Sequence, residues 1–220
     1  MNTISFMESK HLPIEDKSEI SGHAIETIKK TLNTRQPGII KDEDSCFRHA
    51  GVLIPVLEDN SRLHVLFTKR TQQVRDHKGQ VSFPGGSIDD DDVSLEATAL
   101  RETHEEIGLK DEDIEILGRI DDAHTKVSNF VIHPYVGFIQ YPYEFILSKA
   151  EVERILTIPL SIFHPDNPGY HLNTIEYQGI MHDGPAYKFL NDIVWGATAR
   201  IMKNFMEIMG NKLTLPGKDK

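Results

Sequence analysis

Glu102, Glu105 and Glu106, in the stretch RETHEEIGL at residues 101–109, are the side chains whose spacing most plainly asks for chemistry. At i, i+3 and i+4 they share one face of a helix. Gly108 is a natural C-terminal stop, because glycine accepts the left-handed conformation there. The three carboxylates therefore crowd the negative end of the helix dipole, which favours cations. They also repel one another, by about 0.2–0.5 kcal/mol per pair on an exposed helix. Carboxylate oxygens are hard ligands, and three on one turn suit Mg²⁺ or Mn²⁺. A bound dication would quench the repulsion and neutralise the helix end. A solvated acidic face is the ordinary reading of such a cluster. Two features weigh against it: the wrong-end placement, and the Gly85-Gly86 turn upstream, where the backbone can approach a ligand and expose a carbonyl. A strand, turn and helix in this order could cradle a metal–pyrophosphate.

A basic stretch precedes the turn. Lys69, Arg70, Arg75, His77 and Lys78 face only Asp76 in a chain of net charge −10. This local reversal of sign would draw a multiply phosphorylated ligand. Arginine forks match phosphate oxygens bidentately, so Arg70 and Arg75 are the expected phosphate contacts. The competing reading is a solvated loop with edge-strand lysines. The net charge argues against general nucleic-acid binding, which needs a basic footprint. No apolar run approaches the roughly 20 residues of a membrane helix, so no membrane partner is expected. The N-terminus lacks the basic-then-apolar pattern of a signal peptide. Cys46 is the only cysteine, which rules out an internal disulfide and fits a reducing, cytoplasmic setting.

Elements must carry these residues. Ile20, Ala24, Ile28 and Leu32 recur every fourth residue, so the spacing predicts a helix over 18–34, stopped at Pro37-Gly38. Residues 49–59 and 62–70 are apolar, β-branched runs joined at Asn60-Ser61, a hairpin pattern. A short strand is expected at 79–83, then a turn at Pro84-Gly85-Gly86. The acidic run at 89–92 is loop, leading into a helix from about Ser94 to Ile107. Strands are expected at 113–120, 130–140, 171–179 and 184–190. Short helices are expected near Lys149 and around 159–163, and a last helix over about 192–209. Interleaved elements joined by short turns favour a mixed sheet with helices on its faces.

These residues carry a resemblance. RETHEEIGL resembles the second half of the Nudix box, G-x5-E-x7-R-E-U-x-E-E-x-G-U with U aliphatic; Thr103 stands at an aliphatic position. The first half departs from it. From Gly86 to Arg101 the chain is one residue longer, so the isolated glutamate falls at Val93 or Asp92, depending on the anchor. A second block, LFTKRTQQVRDHKGQVSFPGG at 66–86, is similar to that of the coenzyme A pyrophosphatase branch, with Phe67 the only variation. RILTIPLSIF and IVWGATARI also look like that branch, and the resemblance spans about residues 48–205.

The resemblance implies a Nudix-type α/β/α sandwich around a mixed β-sheet. It divides the chain into an N-terminal helical arm and linker (1–45), a hydrolase domain (46–210) and a tail (211–220). It implies Mg²⁺- or Mn²⁺-dependent attack of water on a diphosphate. Glu102 and Glu106 would be the principal metal ligands, with Glu105 alongside and the Gly85 carbonyl as a further one. Arg101 would lock the helix against the loop. The substrate contacts would come from Lys69, Arg70, Arg75, Phe83, Gly85 and Gly86. The general base stays open among Glu105, Glu151 and Glu153. The substrate would be coenzyme A or an acyl thioester; alternatives are ADP-ribose, NADH, a nucleoside triphosphate, or binding without turnover. The resemblance leaves room for a homodimer. His104 is expected at the surface, His124 and His133 as satisfied loop or strand histidines, and Trp195 in helix packing.

Overall fold

The computed structural model describes residues 17–43, 46–74, 77–125 and 128–213, with backbone alone for 17–21. Its centre is a mixed sheet built on the hairpin. Strand β1 (Arg48–Asp59) turns at Asn60 and Ser61, both at positive φ, into β2 (Arg62–Arg70). That double left-handed turn matches the twist of the paired strands. β3 (Val81–Ser82) and β8 (Val152–Pro159) both pair antiparallel with β2. β4 (Gly85–Ser87) pairs antiparallel with β1. On the other side, β7 (Phe130–Ile139) runs parallel to β1 and also pairs with β5 (Ile114–Arg119) and β6 (Ala123–Thr125).

Alternation along the strands gives the sheet two buried faces. Leu53, Leu57, Leu66, Tyr135 and Ile139 face helix α2 (Leu95–Ile107), where they meet Ala99 and Ile107. Ile54, Val56, Val65, Phe67 and Val136 face the other way. Helices α1 (Lys17–Asn33) and α3 (Gly196–Met209) cover that second face, so the architecture is α/β/α. A second sheet of β9 (His171–Tyr177), β10 (Ile180–Phe189) and β11 (Asp192–Val194) abuts it, burying Tyr187 and Val194 in the same core. Ile25, Ile28 and Leu32 place α1 within that core too.

Three sequence expectations need correction. No helix begins near Lys149: Val152 opens strand β8, because pairing with β2 from His64 to Arg70 outweighs the local helical preference of KAEVER. Residues 192–194 are strand rather than the start of the last helix, since they pair with 187–189 of β10. Gly85 and Gly86 do not form an isolated turn; they pair with Val52 and Gly51 as part of β4. The short helix around 159–163 is a 3₁₀ turn at Leu160–Phe163.

Candidate active site

Helix α2 carries the acidic turn, and its position is fixed at both ends. Ser94 caps it, its hydroxyl accepting from the Ala97 amide at 3.1 Å. Gly108 closes it in the left-handed region at φ 69°, donating to the His104 carbonyl. In its first turn the helix lies directly on β1. A Cβ at Gly51 would stand 2.1 Å from the Leu95 carbonyl oxygen, so only glycine permits this approach. Thr103, at the aliphatic motif position, is buried and gives its hydroxyl to the Ala99 carbonyl at 2.6 Å. The last carbonyls of the helix are taken by the segment between β7 and β8: Ile146 donates to Ile107 and Ser148 to Glu106, both at 2.9 Å.

Arg101 turns back to the loop before the helix. Its Nε and Nη2 each meet one oxygen of Asp92 at 2.9 Å, and Nη2 also reaches the Ser87 carbonyl. Asp92 further accepts from the Thr98 hydroxyl and the Asp89 amide, both at 2.9 Å. The Arg101 hydrogen bonds, followed by that amide, hold the Asp92 carboxyl well below the usual range. Asp92 thus makes the bidentate partner of Arg101 in the longer loop, while Val93 is 92 % exposed.

The three glutamates are placed unequally. Glu106 is 2 % exposed, and burial pushes its carboxyl up to about 8. Its neighbours are Arg70, whose Nη1 lies 3.6 Å from Oε1, and the Thr68 hydroxyl at 3.5 Å from Oε2. Glu102 is half-buried; burial raises its carboxyl, against the pull of Arg101 at 2.9 Å. Glu105 is exposed and meets the same guanidinium at 3.3 Å. Glu102 presses on β4: a Cβ at Gly86 would stand 2.4 Å from its carboxyl carbon. Glu151 adds a further negative charge felt by both Glu102 and Glu106, and its carbonyl accepts from the Thr71 amide. Glu153 instead lies beside Arg154 at 3.9 Å.

The basic residues divide by strand face. Arg70 points to the glutamates, and its Nε is buried without a hydrogen-bond partner. Lys69 points to the opposite face, bonded at 3.1 Å to Asp192, which also holds Arg154. Phe83 is 4 % exposed and stacks on Phe67 at 4.9 Å. Arg75 lies outside the described residues. His104 is exposed. Trp195 is half-buried between Tyr177 and His182, at ring separations of 4.9 and 4.8 Å. Sequence reasoning missed Thr68 beside Glu106, although it stands inside the block at 66–86. It also missed the contact of His49 with His133, because nothing in the chain announces the parallel register of β1 and β7.

A hard dication fits these donors. Two carboxylates one turn apart are held at the expense of their own ionisation, and a divalent charge between them relieves that expense. Gly86 leaves room beside Glu102 that any side chain would fill. Among the described residues, no three acidic, histidine or cysteine side chains already converge on one point; Arg101 draws Glu102 and Glu105 to itself.

Comparison with known proteins bears on this geometry. The NUDIX domain family model matches residues 47–156. An uncharacterised Nudix hydrolase NudL of Enterobacter sp. (strain 638) is 36 % identical over 165 residues, covering 75 % of this chain and 84 % of that protein. The protein of the same name from Citrobacter koseri is 37 % identical over 157 residues, 71 % of this chain and 80 % of that one. Among solved structures, a Nudix hydrolase from Nitrosomonas europaea superposes with a TM-score of 0.50 at 17 % identity, over 77 % of this chain and 74 % of that one.

Proposed function

This chain belongs to the Nudix family and is a Nudix hydrolase, and from that premise we propose that it hydrolyses the diphosphate of a nucleoside-linked substrate with Mg²⁺ or Mn²⁺. The observation that carries the reading is the pair Glu102 and Glu106, both with carboxyls raised by burial, facing Gly86 and Arg70. These two carboxylates would hold the metal, with Glu105 and the Gly85 carbonyl as further ligands. The metal would supply charge neutralisation of the diphosphate and of the attacking water's proton loss. Arg70, with its unpartnered Nε, would take a phosphate oxygen, and Arg75 is assigned the same task from the sequence. Arg101 would act without touching substrate: clamped by Asp92, it fixes the helix that presents the acids. Glu151 is the base of choice over Glu153, because its charge reaches both metal-binding carboxylates. Glu105 is its rival on the helix itself.

Coenzyme A is the finer reading, favoured by the block at 66–86, with 3′,5′-ADP and 4′-phosphopantetheine as products. ADP-ribose, NADH and a nucleoside triphosphate are its competitors within the same chemistry. Mass spectrometry of products from each compound, with and without Mg²⁺, decides. Metal-dependent 3′,5′-ADP from coenzyme A alone supports the finer reading. Cleavage confined to the other compounds moves the substrate, and no metal-dependent product from any of them removes the proposal.

A further inference from the structure

Lys69 and Arg154 are directly opposite partners where β2 meets β8. Like charges so placed repel across the ladder. Both turn to Asp192: Lys69 Nζ lies 3.1 Å from Oδ1, and Arg154 Nη2 is bonded to Oδ2. Asp192 is buried and opens β11, opposite Phe189 across a turn in which Leu190 takes φ 52°. Its carboxylate therefore reaches from the second sheet to two strands of the first, and answers both cations from a fixed backbone.

The ladder changes at the next step. From His64 to Lys69 the β2–β8 pairs advance evenly, and the same register would set Glu153 opposite Arg70. Instead Arg70 pairs with Val152, and Glu153 is the extra residue of a β-bulge. Glu153 lies half-exposed beside Arg154, while Val152 is buried on the face under α2. An acid opposite Arg70 would compete for its guanidinium. The bulge puts a valine there and leaves Arg70 to Glu106, with its buried Nε unpaired. Beyond the bulge, the Arg70 and Thr71 amides are bonded to the Gln80 and Glu151 carbonyls. The pair held by Asp192 is the last regular step before it.

We propose that Asp192 is a positioning residue for Arg70: by clamping Lys69 and Arg154 it holds the bulged register in which Arg70 faces the diphosphate of the substrate. This role rests on the diphosphate hydrolysis proposed for the chain, and extends the site's support to the second sheet. Strand alternation lets an anchor act through its neighbour. Lys69 and Arg70 leave β2 on opposite faces, so holding one sets the strand that aims the other. Without the Asp192 charge, two cations face each other one residue from the bulge, and the guanidinium loses its set direction.

Steady-state kinetics of the full chain with Mg²⁺ test the role, on coenzyme A or whichever of ADP-ribose, NADH and a nucleoside triphosphate the wild type cleaves. Asp192→Asn is expected to raise KM about tenfold with kcat nearly unchanged, the lower end of what a hydrogen bond to a charged group contributes. In an Arg70→Gln background the same substitution is expected to add nothing, because the group it positions is gone. Should Asp192→Asn fail to fold, Lys69→Gln carries the test, since it breaks the same anchor and leaves Arg154 on Asp192. Unchanged KM in the folded variant, a KM rise that multiplies with that of Arg70→Gln, or a fall in kcat at constant KM overturns the inference. A wild type that cleaves none of these compounds removes the hydrolase reading and the inference together. Any of the former results beside an active wild type removes the inference alone.

Discussion

At the scale of single residues, the buried Glu106 sets the sharpest expectations. Its carboxyl, pushed up to about 8 by burial, holds a proton at neutral pH when no metal is bound. A dication must displace that proton, so Mn²⁺ affinity is expected to rise with pH through about 8, as titration calorimetry in buffers of different ionisation enthalpy would read. The stability of the metal-free protein should run the other way. The folded state keeps a proton that the unfolded chain releases at ordinary carboxylate pH, so unfolding free energy falls as pH climbs toward 8. Glu106→Gln should reduce kcat by about 10²–10³ or more, the scale of losing a charge-stabilising group. The same change should leave or raise Tm without metal, because it removes a costly buried acid. Near-normal turnover would take Glu106 out of the site. Arg70→Ala should raise KM for coenzyme A more than for its dephospho form if the guanidinium grips the 3′-phosphate; equal effects would reassign it.

At the scale of elements, the acidic helix is held by its neighbours rather than by its own sequence. Asp92→Asn leaves the Arg101 fork half-answered, and should cost about 1–3 kcal/mol of stability by denaturant titration. Gly51→Ala drives a methyl into the Leu95 carbonyl and should cost about 1–3 kcal/mol or more, with turnover falling as the helix lifts. The helix, its glycine stop and the opening hairpin were legible, because periodicity, caps and turn residues are local signals. The pairing of Asp92 with Arg101 was half legible: counting from Gly86 reached it, while counting back from Arg101 reached Val93. Strand β8 was not legible, since KAEVER reads as helix until β2 offers it an edge. The burial of Phe83 and the turning of Lys69 to Asp192 follow from strand faces that only the assembled sheet defines.

At the scale of the whole molecule, three layers divide the labour. The face under α2 carries the acids and Arg70; the face under α1 and α3 holds most of the apolar core. The helix expected as an arm is structural material of that core. Ile28 is fully buried against it, and Ile28→Ala should cost about 2–5 kcal/mol, which thermal and denaturant unfolding would register as one cooperative loss. Among the described residues no helix is long and apolar enough to cross a membrane.

The amides of Ile146 and Ser148, bound to the closing carbonyls of the acidic helix, give the 140–151 stretch a second duty. Glu151 hangs from the same short tether as Glu106. Lengthening that stretch by even one residue would detune the spacing of two acids that stand 45 positions apart in the chain. Tolerance to insertion should therefore be lowest where the surface looks least constrained.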